Sequence, residues 1–192
     1  MYIVGIVGPS ACGKSTLARR GSLEYGCNRL KLDAFYRDVS TFAYVGSWRN
    51  WELPENLRLD QFVDALRTLR IGDVATVPVF SKSQGRQRGT HLLWPTPLLI
   101  VEGFLLLHDP RVRPLLDLAI YLDVSLGAQR SRRLNREPGI DSDYFDRVVV
   151  PSYERHGVLA RRSCDLVIDA NEDEDHVWEA FNAAVTDRRA TA

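Results

Sequence analysis

Near the start of the chain, Gly8-Pro9-Ser10-Ala11-Cys12-Gly13-Lys14-Ser15 fits the spacing G-x-x-x-x-G-K-[ST], which can cradle a phosphate. Glycines let backbone N–H groups curl around phosphate oxygens, and a helix starting near Lys14 adds its positive end. Lys14 would neutralise charge on the β and γ phosphates, and the Ser15 hydroxyl could ligate Mg2+. Ser10, Ala11, Cys12 and Thr16 complete the phosphate-binding stretch. A glycine turn with a purely structural purpose is the bland alternative, and the apolar run before it and the helix after it argue against that. Cys12 reads as a loop residue rather than a nucleophile.

Further along, Asp33 ends a short predicted strand, Leu30-Lys31-Leu32, at the carboxyl end where a parallel sheet gathers its ligands. A carboxylate there could take the proton of an acceptor hydroxyl, and it could equally cap the residues after it. Glu102 follows four apolar residues, so it needs a partner: Mg2+, held directly or through water, or a buried salt bridge. Arg130, Arg133 and Arg136 recur every three residues and could close over transferring phosphates as a lid, or form a solvated helix face. Trp48 and Trp51 stand in a polar stretch, where they could stack on a base or cap the core. N-K-x-D and D-x-x-G occur nowhere, which disfavours a GTPase.

The elements that must position these residues follow from hydrophobic pattern. Tyr2 to Val7, Pro97 to Val101 and Leu118 to Val124, which closes on Asp123, are short apolar runs, the mark of strands buried on both faces; Asn28 to Leu32 and Asp165 to Ile168 read as two further short strands. Helical patterns lie between them: from about Lys14, Pro54 to Arg70, about Leu126 to Arg136, Tyr144 to Arg161 and Glu172 to Arg188. Val74 to Phe80 and Thr90 to Trp94 bracket a polar segment and suggest a hairpin. This alternation predicts an α/β fold: a doubly wound parallel sheet of about five strands, one P-loop domain over residues 1–192 with a mobile lid at about 127–145.

Composition narrows the function. The chain has 192 residues, 45% hydrophobic and 26% charged, which suits one globular domain rather than disorder. Lysine plus arginine balance aspartate plus glutamate at 25 each, so no bulk field draws nucleic acid or anionic lipid. The longest apolar run, Leu98 to Leu107, is interrupted by Glu102 and is about half a membrane span. Neither nucleic acid nor membrane is expected as a partner. No signal peptide is read at the N-terminus, and three unpaired cysteines, Cys12, Cys27 and Cys164, suit a reducing cytoplasm. Only Lys14, Lys31 and Lys82 are lysine; all other basic residues are arginine. Arginine clusters are therefore weak signals here, and a lysine at a special position is a stronger one.

Together the motifs resemble the uridine kinase and nicotinamide riboside kinase group of P-loop nucleoside kinases. The matching stretches are Gly8 to Thr16, Leu32-Asp33-Ala34-Phe35-Tyr36, Asn50-Trp51-Glu52-Leu53-Pro54-Glu55, Val101-Glu102-Gly103-Phe104-Leu105-Leu106, Ser131-Arg132-Arg133-Leu134-Asn135-Arg136 and Tyr144-Phe145-Asp146 with Val150-Pro151-Ser152-Tyr153. The resemblance implies Mg2+-dependent transfer from ATP to the 5′-hydroxyl of a ribonucleoside. It implies Asp33 as base, Glu52 on the ribose hydroxyls, Trp51 against the base, and Arg133 and Arg136 as lid arginines. Tyr36 and Phe80 would complete the nucleoside pocket, with Ser15 and Glu102 at the metal.

Two departures bear on the acceptor. Uridine kinases typically carry Tyr-Asp-Phe followed by His in the hairpin, where this chain reads Val79-Phe80-Ser81-Lys82-Ser83 with no nearby His. Glu137-Pro138-Gly139-Ile140 lacks the second aromatic that nicotinamide riboside kinases place around their base. The base is thus left open, and so is the oligomeric state. The rivals are another small-molecule kinase of this fold, acting on pantothenate or a sugar phosphate, and a regulatory ATP-binding module.

Overall fold

The computed structural model describes residues 1–136 and 142–190. The chain runs β1 (Tyr2–Val7), α1 (Lys14–Glu24), β2 (Asn28–Lys31), β3 (Tyr44–Val45), β4 (Trp48–Arg49), α2 (Leu59–Arg70), β5 (Ala75–Ser81) and β6 (Arg86–Leu93). It continues through β7 (Leu98–Glu102), β8 (Leu118–Asp123), α3 (Leu126–Arg136), α4 (Ser142–Tyr144), α5 (Val150–His156), α6 (Val158–Arg162), β9 (Leu166–Asp169) and α7 (Glu174–Ala190). Five strands form one sheet in the order β2-β7-β1-β8-β9, and every pairing in it is parallel. The sequence expectation of a doubly wound parallel sheet is met.

β1, β7 and β8 are almost wholly buried because helices cover both faces, which is why their sequences show continuous apolar runs rather than alternation. On one face α2 packs Phe62, Leu66 and Leu69 against Leu99, Val101 and Tyr121. On the other, α1 and α7 pack Leu17, Phe181 and Val185 against Val4, Ile100 and Ile120. Gly21 makes that second layer possible: a Cβ there would stand 2.7 Å from Ile100 Cδ1 and 3.3 Å from the Phe181 ring. No described helix is long and apolar enough to cross a membrane.

The register decides what the sheet presents. Ile6 pairs with Glu102, and Glu102 pairs with Lys31, so β1, β7 and β2 end in one row. The loop after β1 and the turn after β2, which carries Asp33, leave the same edge on either side of Glu102.

Several elements depart from the pattern reading. The helix expected over Pro54 to Arg70 begins only at Leu59, after a 3₁₀ turn at Pro54–Asn56. Leu57 is buried, but it bridges Tyr36 instead of joining the helix, while Arg58 donates its N–H to Phe35 O at 2.9 Å. Those bonds hold the 3₁₀ turn Leu32–Phe35 that follows β2. The helix expected over Tyr144 to Arg161 is broken into α4, a π turn at Phe145–Val149, α5 and α6. Pro151 has no N–H for a regular helical bond, and the Tyr153 ring lies where a Gly157 Cβ would sit, 2.4 Å away. β5 is shifted by one residue from the expected Val74 to Phe80, β6 is longer than the expected Thr90 to Trp94, and the two join through a tight turn at residues 82–85. α7 starts at Glu174 rather than Glu172, because Asp173 Oδ1 accepts the N–H groups of Asp175 and His176 at 3.0 and 2.8 Å. β3 and β4, a small ribbon, had no counterpart in the pattern reading.

Phe181 is fully buried between Gly21 and Trp178. Phe181→Ala is expected to lower unfolding free energy by about 3–5 kcal/mol, measured by urea denaturation. A loss under about 1 kcal/mol would contradict this packing account.

Candidate active site

The loop between β1 and α1 needs its glycines. Gly8 has φ +148°, and a Cβ on it would lie 2.6 Å from Leu122 O and 2.8 Å from Cys12 Sγ. Gly13 has φ +99° at the entrance of α1. Ala11, at φ +61°, is the one non-glycine residue with positive φ among the described residues. Lys14 is 8% exposed and curls over the loop, donating to Gly8 O at 2.9 Å and Pro9 O at 2.6 Å. A primary ammonium held against carbonyls there is placed to exchange them for phosphate oxygens.

Beside the loop, Ser15 Oγ donates to Glu102 Oε1 at 2.8 Å. Glu102 makes no ion pair among the described residues, so the salt-bridge reading of this buried carboxylate is not what the structure shows. One hydroxyl and one carboxylate, with no cluster of three or more His, Cys, Asp or Glu side chains among the described residues, fit Mg2+, which keeps waters and phosphate ligands.

A cavity of about 650 Å3 opens from the loop toward β3, β4 and α4. Ser10, Ala11, Lys14, Ser15, Asp33, Tyr36, Trp51, Glu52, Glu102 and Arg133, all predicted from sequence, line it. Asp33 Oδ2 lies 3.1 Å from Lys82 Nζ. Glu52 is buried, with Arg133 Nη2 at 3.7 Å from Oε1, and Arg133 Nη1 also donates to Ser10 Oγ. Burial pushes the Glu52 carboxyl above its ordinary 4.5, against the lowering effect of Arg133 and Lys14. Burial likewise holds the Tyr36 phenol well above its usual range, with Asp33 and Glu52 adding to the effect. Its hydroxyl donates to Trp51 O at 3.1 Å.

Other predicted residues stand elsewhere. Phe80 does not line the cavity; it packs behind it, with ring centres 5.6 Å from Tyr36 and 6.3 Å from Trp51. Trp51 borders the cavity while its edges also meet Tyr36 and Phe42, so both readings of this aromatic, core and site, are partly met. Cys12, Gly13 and Thr16 line a second cavity of about 280 Å3 on the other side of the loop, with Arg20 and Arg132. Arg132 donates there to Ala170 O at 2.8 Å. The arginine series is divided: Arg133 enters the main cavity and Arg130 pairs with Asp146 at an exposed position. The side chain of Arg136 and residues 137–141, including all of the Glu137-to-Ile140 segment, lie outside the described residues.

The sequence reading did not place Lys82, Tyr144, Phe104, Ser47 or Arg49 in the site, yet all line the main cavity, as does Trp48. Gly46-Ser47 between Val45 and Trp48 was the available signal for the β3–β4 ribbon, as a two-residue hairpin loop. Tyr144 donates no local pattern: it reaches the cavity by accepting Trp51 N–H at 3.1 Å and meeting Trp48 edge-on, centres 6.2 Å apart.

Comparison with known proteins agrees with this arrangement. The family model described as Phosphoribulokinase / Uridine kinase family matches residues 3–139. A uridine kinase of Clostridium botulinum (strain Kyoto / Type A2) is 29% identical over 178 residues, covering 86% of each chain. A uridine kinase of Shewanella amazonensis is 33% identical over 144 residues, covering 70% of this chain and 68% of its own. Among solved structures, a possible uridine kinase from Bacillus stearothermophilus superposes with TM-score 0.63 at 20% identity, covering 88% of both chains. The phosphoribulokinase from Rhodobacter spheroides gives 0.63 at 13%, covering 89% of this chain and 72% of its own. These structures share the fold.

Because burial raises Glu52, the folded protein binds that proton more tightly than the unfolded chain, and this group's contribution to stability falls as pH rises from about 4.5. Arg133→Met removes the opposing cation. Its stability should therefore fall more steeply than wild type between about pH 4.5 and about pH 7, and adding Glu52→Gln should flatten the extra slope. Urea midpoints across that range test this; parallel curves for all three proteins contradict it.

Proposed function

This chain belongs to the phosphoribulokinase/uridine kinase family and is a P-loop kinase, a phosphotransferase with an alcohol acceptor; from that premise we propose that it phosphorylates the 5′-hydroxyl of a ribonucleoside with ATP. The observation that carries the proposal is the sharing of one cavity by Lys14, the Ser15–Glu102 pair, Asp33 and the buried Glu52–Arg133 pair. Phosphate chemistry and an acceptor site with polar and aromatic walls thus adjoin. The curated relatives named uridine kinase support the nucleoside as acceptor class.

In this reading the loop amides, Lys14 and Arg133 hold the triphosphate and spread the charge that develops on the transferring group. Ser15 and Glu102 would hold Mg2+, which neutralises phosphate charge when bound. Asp33 accepts the hydroxyl proton as the acceptor oxygen bonds to the γ-phosphorus and the β–γ bridge breaks. Glu52, fixed by Arg133 and by its N–H to Asn50 Oδ1 at 2.9 Å, accepts hydrogen bonds from ribose hydroxyls. Trp48, Trp51, Phe104 and Tyr144 offer the apolar surface for the base.

Asp33→Asn keeps the shape and removes the base. Its turnover should fall by about 10²–10⁴-fold, while ATP affinity, read by nucleotide titration, stays close to wild type. Turnover within a few fold of wild type would sink the assignment of Asp33.

A further inference from the structure

Lys82 is one of three lysines in an arginine-rich chain. Lys14 serves the phosphate loop and Lys31 is exposed at the end of β2, which leaves Lys82 to be explained. It stands in the turn between β5 and β6, 49 positions from Asp33 in sequence, with Nζ 3.1 Å from Asp33 Oδ2. The pair is open: the side chains are 65% and 43% exposed. Ion pairs so exposed add little to stability, so fold stability does not account for the pairing. Among the described residues no other hydrogen bond or ion pair reaches the Asp33 carboxylate.

The turn that carries Lys82 is itself held in place. Val39 N donates to Gly85 O at 2.7 Å, and Gly85 N to Lys82 O at 3.3 Å. Gly85 has φ +63°, and a Cβ on it would stand 3.0 Å from Val39 Cβ, so the hairpin tip is pressed against the Val39–Thr41 turn just beyond Tyr36. The backbone under Lys82 is therefore anchored to the segment that also carries Asp33.

We infer that Lys82 is a positioning residue for phosphoryl transfer: its ammonium holds one oxygen of Asp33 so that the other faces the acceptor hydroxyl. This rests on the reading of Asp33 as base. The hairpin then contributes to catalysis through charge as well as by walling the acceptor cavity.

The test compares wild type, Lys82→Met, Lys82→Arg, Asp33→Asn and the Lys82→Met/Asp33→Asn double variant, with the acceptor that best stimulates wild type and a radiolabelled phosphate assay. Lys82→Met is expected to lower kcat by about 10–100-fold with KM for ATP and acceptor near wild type and an unchanged Tm. Lys82→Arg should recover most of the loss, and Lys82→Met should cost nothing further in the Asp33→Asn background. The inference is overturned by an unchanged kcat in Lys82→Met, by a loss confined to acceptor KM, by failure of arginine to rescue, or by losses that multiply in the double variant. Wild-type turnover in Asp33→Asn ends the reading of the base itself, whereas an inactive Asp33→Asn beside a fully active Lys82→Met ends only the role of Lys82.

Discussion

Parallel pairing of β7 between β1 and β2 is the constraint on which the site depends. Because Ile6 and Lys31 both register with Glu102, three chain segments leave the sheet side by side. One becomes the phosphate loop, one carries Glu102, and one turns through Asp33. Any slip of the sheet would separate Ser15 from Glu102, which now meet at 2.8 Å. The burial of these strands on both faces opposes such a slip, since it would expose Ile100 and Val101 and bury charge. Packing of α1 and α2 on opposite faces thus protects a geometry that the functional residues do not fix themselves.

On that edge the site is a balance of opposite charges around a partly apolar space. Glu52 and Arg133 are both buried, and each keeps the other tolerable away from water. Arg133 also reaches Ser10 in the loop after β1, so one side chain from α3 ties Glu52 to that loop. Tyr144 ties α4 to the same wall through Trp51 and Trp48. Both helices lie within the stretch, about 127–145, that the sequence led one to expect as a lid.

Much of this was legible in the sequence, for identifiable reasons. The central strands β1, β7 and β8 show because burial on two faces leaves them almost wholly apolar before their closing residues, and the phosphate loop shows because its glycines, lysine and serine are adjacent in the chain. Glu102 was legible as a carboxylate closing an apolar run and Asp33 as one at the end of a predicted strand. What failed was long-range: Leu57 looks helical by spacing, but it is claimed by a bridge to Tyr36. The helix expected from Tyr144 is present as a helical path from Ser142 to Arg162, but the pattern did not show its π turn at Phe145–Val149 or its interruption at Gly157, where the Tyr153 ring occupies the space of a Cβ. Phe80 read as a pocket residue because it lies near the hairpin tip, but Tyr36 and Trp51 stand in front of it. Lys82 was marked only by its rarity as a lysine, and its pairing with Asp33 left no local sign because that partner is distant in sequence.

The most direct measurement is ADP release from Mg-ATP in the presence of uridine, cytidine, nicotinamide riboside, pantothenate or no acceptor. The account predicts that a ribonucleoside stimulates release well above the rate without acceptor, with its 5′-monophosphate as product. Stimulation by pantothenate alone, or ATP binding with no stimulation by any acceptor, would contradict it.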